Sequence, residues 1–413
     1  MSCWMEEMEV DETMKVAFVV QRYGLEVNGG AELLCRQVAE RMAKYWNVEV
    51  LTTCAIDYMT WQNEYPPGPT VVNGVAVQRF PVDVPRDVIA FNRLSASVLA
   101  GGAGRDAELR WLKAQGPFSS ALLEYLRRHY QTYALFIFYT YLYASTSFGL
   151  PLVADRSILV PMAHDEPPIY LEIFRDLFCL PKALIFNTTE EQGFVNQCFG
   201  TQRILQDVVG VGIEAPSDVR AERFLAQHGR DLEEREFILY VGRVDVSKGC
   251  RQLCSHFMRF QEDVPEHPLK LVLLGAQAME IPRHPDILSL GFVSDQEKCD
   301  AMAAAQVVML PSPYESLSIV ALEAWQLGKP VLANGTCAVL QGQCKRSNGG
   351  LWYENYAEFR ETLSLLLRES WLRERLGASG RSFIQCCYNW AAIEAKYLRL
   401  VNLAAEEEAG RLP

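Results

Sequence analysis

From Lys15 onward the chain alternates short, nearly unbroken apolar runs with longer stretches whose apolar residues recur every three or four positions. The runs at 16–20, 48–52, 135–139, 158–161 and 183–187 are too short for helices and too uniformly apolar for a half-exposed strand. They read as strands of a parallel sheet covered by helices on both faces. Residues 75–80 alternate polar and apolar positions more clearly and are expected at a sheet edge. A second series follows at 237–241, 269–274, 289–293, 307–310, 330–333 and 351–353. Between the two, residues 208–216 read Val-Val-Gly-Val-Gly-Ile-Glu-Ala-Pro and lead into a highly charged stretch at 220–236, which places a linker there. The pattern predicts an α/β chain of two Rossmann-like domains, 14–215 and 216–389. At the end, residues 390–403 carry Ala, Ile, Leu and Val at helical spacing and predict a terminal helix. Residues 1–13, with Glu6, Glu7, Glu9, Asp11 and Glu12, predict a disordered acidic tail.

Composition narrows this picture. A length of 413 residues exceeds what one hydrophobic core usually serves, and 49% hydrophobic with 22% charged residues is enough apolar material for two. The net charge of -12 excludes broad binding to nucleic acid, which needs clustered Lys and Arg against phosphates. No apolar stretch reaches the roughly 18 to 20 residues of a membrane span, and no leader pattern opens the chain. The twelve Cys lack the paired spacing of a structural zinc site and read as reduced thiols of a cytoplasmic protein.

Four segments carry chemistry. The first is Leu310-Pro-Ser-Pro-Tyr-Glu315-Ser316-Leu317-Ser318, which leaves a strand, turns through two prolines and opens a helix near Ser316 that closes at Gly328. A helix mouth there would offer amides near Leu317 and Ser318 to a diphosphate. Glu323, eight residues after Glu315, would stand roughly 12 Å further along at 1.5 Å per helical residue. The second segment, Val241-Gly-Arg243-Val-Asp-Val-Ser-Lys248-Gly249, brings two cations into a turn between strand and helix, suited to a diphosphate leaving group. The third, Gln21 through Glu32, puts the adjacent Gly29 and Gly30 after the first strand, where a backbone can approach a ligand. It lacks the Gly-x-Gly-x-x-Gly spacing of a dinucleotide site, which disfavours a nicotinamide oxidoreductase. The fourth is His164-Asp165-Glu166 at the end of the strand 158–161. Alone, each is ordinary surface or turn chemistry.

Taken in order, the Gly-Gly-Ala-Glu loop, the His-Asp pair, the Val-Gly-Arg and Ser-Lys-Gly turn, Gly291-Phe-Val-Ser-Asp and the two Glu separated by seven residues resemble the family 4 glycosyltransferases of GT-B fold. The resemblance runs from Met14 to Leu403. It implies two Rossmann-like domains facing across a cleft, the first for the acceptor and the second for the donor, with 390–413 packing back on the first. It implies retaining transfer from a nucleotide diphosphate sugar, UDP by frequency in the family, without an essential metal. By position it assigns the donor sugar to Glu315, the ribose to Glu323, the diphosphate to Arg243 and Lys248, and the base to the backbone of Phe292 and Val293. Gly29 and Gly30 fall near the diphosphate and acceptor, and His164 near the reacting carbon. The family often has Gly-Phe-Gly where this chain has Ser316, Leu317 and Ser318, whose side chains would narrow the sugar pocket. Trp325 replaces a smaller residue and is expected in the core.

The acceptor, whether a glycan, a lipid-linked sugar or a small molecule, is not written in these motifs, and peripheral contact with a membrane's inner face stays open. Two other readings share the architecture: a catalytically silent sugar-nucleotide-binding protein and a GT-B sugar-nucleotide epimerase.

Overall fold

The computed structural model describes residues 13–27 and 29–409, with side chains described through Glu406. The expected acidic tail lies outside them except for Thr13. The chain divides into two compact units, one running to Val211 and resuming at Ile393, the other Gly212–Ala392.

Unit 1 is built on eight strands: β1 (Lys15–Val19), β2 (Asn47–Thr53), β3 (Gly68–Val72), β4 (Val75–Phe80), β5 (Leu135–Tyr139), β6 (Ser157–Val160), β7 (Ala183–Phe186) and β8 (Leu205–Val208). Their order across the sheet is β3-β4-β2-β1-β5-β6-β7-β8. Every pairing is parallel except that of β3 with β4. All five residues of β5 are buried, as an unbroken apolar run requires in a sheet covered on both faces.

The alternating strand 75–80 is not the edge: β4 lies inside β3, an edge strand that the apolar pattern missed. The signal for it was Asn73-Gly74, both at positive φ (48° and 83°), which is the turn chemistry of a tight hairpin. Pro69, which cannot donate to a ladder, fits on that outer strand.

Unit 2 holds β9 (Phe237–Val241), β10 (Lys270–Leu274), β11 (Ile287–Gly291), β12 (Val307–Leu310), β13 (Val331–Asn334) and β14 (Gly350–Tyr353), all parallel, in the order β11-β10-β9-β12-β13-β14. The helix Cys250–Asp263 buries Leu253, Phe257 and Phe260, spaced for one helical face, in a core shared with Phe359, Leu363 and Leu366. The charged stretch 220–236 is not a loose connection. It contains the helix Ala221–His228, fixed within this unit by the buried ring of Phe224 and by an ion pair from Arg223 to the buried Asp300. Trp325 is fully buried and donates its indole N–H to Gly349 O at 2.8 Å.

The last helix is Trp390–Ala409, longer than its apolar spacing predicts. From Ile393 it belongs to unit 1, as the resemblance implied. Tyr397 is buried with its hydroxyl 3.5 Å from that of Tyr139, Lys396 donates to Val208 O at 2.9 Å, and Tyr45 donates to Glu394 at 2.8 Å.

Candidate functional site

In an open parallel sheet, ligands bind beyond the carboxyl ends of the strands where the strand order reverses. In unit 2 that place lies between β9 and β12: the chain moves outward from β9 to β10 and β11, then returns to β12 on the other side. The loops leaving these two strands are the ones that carry Arg243, Lys248 and Glu315. Lys248 Nζ lies 2.8 Å from Glu315 Oε1, so two residues 67 positions apart in sequence form one charged pair at the switch point.

Backbone geometry explains how the loops come so close. Gly249 has a φ of +76°, and a Cβ there would fall 2.1 Å from Pro311 O. Only glycine lets the turn after β9 lie against the turn after β12. The Arg243 guanidinium is held by Asp245, which also accepts from Ser247 Oγ at 2.6 Å and from the Lys248 amide at 3.1 Å. Burial works against the charge on Asp245, but the Ser247 hydroxyl and the Arg243 guanidinium outweigh it and hold the carboxyl below its usual range. The loop therefore presents two cations on a fixed frame.

The helix expected to open near Ser316 begins later. It spans Ile319–Gln326 with Ser318 as N-cap, whose hydroxyl accepts the Ala321 amide at 3.3 Å. Ser318 wins because its backbone is extended and its oxygen meets a first-turn amide, the geometry a cap needs. Two expectations change. The first-turn amides without an intrahelical acceptor are those following Ser318, not that of Leu317. Glu315 precedes the helix by a short loop, so the helical rise does not measure its separation from Glu323. Ser316, Leu317 and Ser318 are all buried, and the Ser318 hydroxyl is committed to its own helix.

Glu323 meets a partner that the motif did not announce. Lys298, on the helix Asp295–Ala304, lies 2.9 Å from Glu323 Oε1 and 3.1 Å from Asp295. Burial opposes the Lys298 charge, but Glu323 and then Asp295 more than offset it and hold the ammonium above its ordinary value. Phe292 and Val293 lie just past the end of β11, with the Phe292 ring exposed.

In unit 1 the loop after β1 is organised by an ion pair. Arg22 donates to Glu32 Oε1 through Nε at 2.8 Å and through a terminal nitrogen at 2.6 Å, and its other terminal nitrogen reaches Ile56 O at 2.6 Å. Both side chains are buried. This gives Gly29 a reason independent of any ligand, since a Cβ there would lie 2.2 Å from Glu32 Oε2, whereas one on Gly30 meets nothing within 4 Å.

His164 follows β6 on a turn in which Met162 has a φ of +53°, a region that side chains other than glycine avoid. The turn is held by Glu191, fully buried at the start of the helix Thr189–Phe199, which accepts the amides of Ala163 and Asn187 at 2.7 Å each. Burial pushes the Glu191 carboxyl up to about 8, against the pull of those amides. The Thr-Thr-Glu-Glu pattern at 188–191 signals a capped helix start, but nothing in it shows that the carboxylate reaches the neighbouring loop.

Residues 222–383 match the family described as Glycosyl transferases group 1. An uncharacterised glycosyltransferase of Methanocaldococcus jannaschii is 25% identical over 185 residues, 42% of this chain and 46% of that protein. A D-inositol 3-phosphate glycosyltransferase of Rhodococcus erythropolis is 27% identical over 165 residues, 36% of this chain. This chain thus spans less than half the length of either, 37% in the second case. Among solved structures, sucrose-phosphate synthase from Thermosynechococcus elongatus superposes with a TM-score of 0.70 at 16% identity, covering 94% of this chain and 98% of its own. The HepE protein of Anabaena, in complex with UDP and glucose, superposes with a TM-score of 0.67 at 14% identity, covering 94% and 99%. That fold covers nearly all of the chain and the group 1 glycosyltransferase signature most of unit 2: the chain has the GT-B fold, as its resemblance to family 4 implied.

Proposed function

We propose that this protein transfers a sugar from a nucleotide diphosphate donor, a UDP-sugar in the first instance, to a hydroxyl of a glycan, lipid-linked or small-molecule acceptor, with retention of anomeric configuration. The observation that carries the reading is the Lys248–Glu315 pair at the switch point of unit 2, with Arg243 on the same loop and a helix start just beyond. The choice of uridine draws on HepE, solved with UDP and glucose, and on the Escherichia coli trehalose-6-phosphate protein, solved with UDP-2-fluoro glucose.

In this reading the bond from the anomeric carbon to the diphosphate breaks as the acceptor oxygen bonds to the same carbon on the same face. The acceptor proton passes to a phosphate oxygen of the donor. No protein nucleophile is needed, and the protein contributes position and charge. The Lys248 ammonium turns from Glu315 alone to the diphosphate, joined by Arg243 and the amides that open the helix Ile319–Gln326. Glu315 then takes sugar hydroxyls, Glu323 the ribose, and the backbone at Phe292 and Val293 the base. We assign Gly29 and Gly30 to the diphosphate and acceptor, and His164 to the sugar beside the reacting carbon. Two fixed cations perform the charge neutralisation for which other transferases use a divalent ion, so the reaction proceeds in EDTA. We place the enzyme in the cytoplasm; among the described residues no helix is long and apolar enough to cross a membrane.

The test begins with a panel of UDP-, GDP- and ADP-sugars scored by thermal shift, since a ligand that binds only the folded state raises its melting temperature. With the best donor, Lys248→Ala and Glu315→Ala each lower transfer by about 10²- to 10³-fold, the range for removing one group that meets developing charge. Both variants keep the parent melting profile. Near-normal turnover in the pair would remove the site assignment.

A further inference from the structure

The loop that offers Arg243 and Lys248 is tied down by a side chain from the strand that precedes it. On either side of Arg243 the backbone is paired with the chain leaving β10: the Gly242 amide donates to Leu274 O and the Val244 amide to Ala276 O, each at 2.9 Å. Between them, the carbonyl of Arg243 accepts the Tyr240 hydroxyl at 2.8 Å. Tyr240 belongs to β9 and is buried in the core of unit 2 with Ile238, Val244, Cys250 and Leu253, a packed setting that fixes its ring. Burial, and then the neighbouring Cys250, push its hydroxyl far above the usual range, so Tyr240 stays protonated and donates. Cys250 Sγ also approaches the Arg243 carbonyl, at 3.9 Å, but a thiol is a weak donor and does not replace the hydroxyl. The motif glycine leaves room for this contact, since a Cβ on Gly242 would fall 2.9 Å from the Tyr240 hydroxyl oxygen. With Asp245 on the guanidinium, Arg243 is held by its backbone and by its side chain.

We propose that Tyr240 is a positioning residue for the donor: its hydroxyl fixes the peptide from which the Arg243 side chain leaves, and so sets that guanidinium for the diphosphate. A cation already in place when its ligand arrives is not ordered at the ligand's cost. One that samples several arrangements binds with an affinity reduced by the fraction of the competent one. Phenylalanine at 240 would fill the same core and remove only the tether. The consequence for the diphosphate rests on the transfer reaction proposed above; the tether itself does not.

Hydrogen exchange of the full chain, followed by mass spectrometry, reads the tether without any ligand. Tyr240→Phe speeds exchange in peptides covering 242–249 by about 3- to 10-fold, the equilibrium effect of losing one neutral hydrogen bond, while peptides of unit 1 exchange as in the parent. Unchanged exchange at 242–249 overturns the proposal. Titration with UDP then reads the consequence for the donor. Tyr240→Phe weakens UDP binding by about 3- to 10-fold in the parent but by less than about twofold in the Arg243→Ala background, because the residue it acts through is gone. A hydroxyl with a merely structural role would weaken both backgrounds equally or neither, and either result overturns the proposal. If Arg243→Ala binds UDP as the parent does, the donor site proposed above falls and this inference with it. If Arg243→Ala weakens UDP binding and Tyr240→Phe does not, only this inference falls.

Discussion

Single residues here act mostly through what they hold. Arg22 and Glu32 are the clearest case: two buried charges satisfy each other and a carbonyl from the next loop. Removing one leaves the other buried without compensation, which typically costs about 3 to 5 kcal/mol. Arg22→Ala is therefore expected to lower stability by that amount in urea unfolding, and a loss below about 1 kcal/mol would show that the pair does not organise the loop. Glu191 makes a different case, because its shift gives stability a pH dependence. Its carboxyl is raised from an ordinary 4.5 to about 8, so the folded state favours the protonated form. The contribution is complete below pH 4.5 and drains away as pH climbs through 8. Glu191→Gln, which cannot ionise, loses this slope: its melting temperature gains on the wild type between those limits, and a constant difference would contradict the account. None of these partners was legible from the motifs. Arg22 stands ten residues from Glu32, and Glu191, on the helix that follows β7, meets the loop after β6 only once the sheet is assembled.

At the scale of elements, apolar runs located the buried strands because a strand covered on both faces has no polar positions to confuse the pattern. β5, β9 and β12 begin and end where the sequence places them. The pattern failed where a strand has a face to show. It does not show β3, and it puts β4 at an edge, because alternation reports one exposed face and not the number of neighbours. The start of the helix Ile319–Gln326 was misplaced by two residues because three successive positions, Ser316 to Ser318, include two competent caps, and only backbone geometry chooses between them. The link between the helices Asp295–Ala304 and Ile319–Gln326 was hidden for the same reason as the ion pairs: Lys298 reads as a surface residue until Glu323 is placed beside it. Lys298→Met should leave the fold intact and raise donor KM by about tenfold with little change in kcat, the signature of lost uniform binding. Parent-like KM in that variant would show that the proposed ribose contact of Glu323 needs no such partner.

At the scale of the whole molecule, the ordered motifs pointed to the GT-B fold through their resemblance to a family, and the strand order of each sheet decides which of the loops that carry them are neighbours. The donor's base and sugar, and the acceptor, depend on loop side chains that no strand rule positions. On the proposed function, diphosphate departure is eased at one spot in unit 2, by cations on the loop after β9 and by a helix start after β12. A crystal of the protein soaked with UDP tests it most directly. Both phosphates are expected within hydrogen-bonding distance of the Lys248 ammonium, the Arg243 guanidinium and the first-turn amides beyond Ser318, with the Lys248–Glu315 pair loosened. Phosphates bound elsewhere, with the Lys248–Glu315 pair undisturbed, would contradict it.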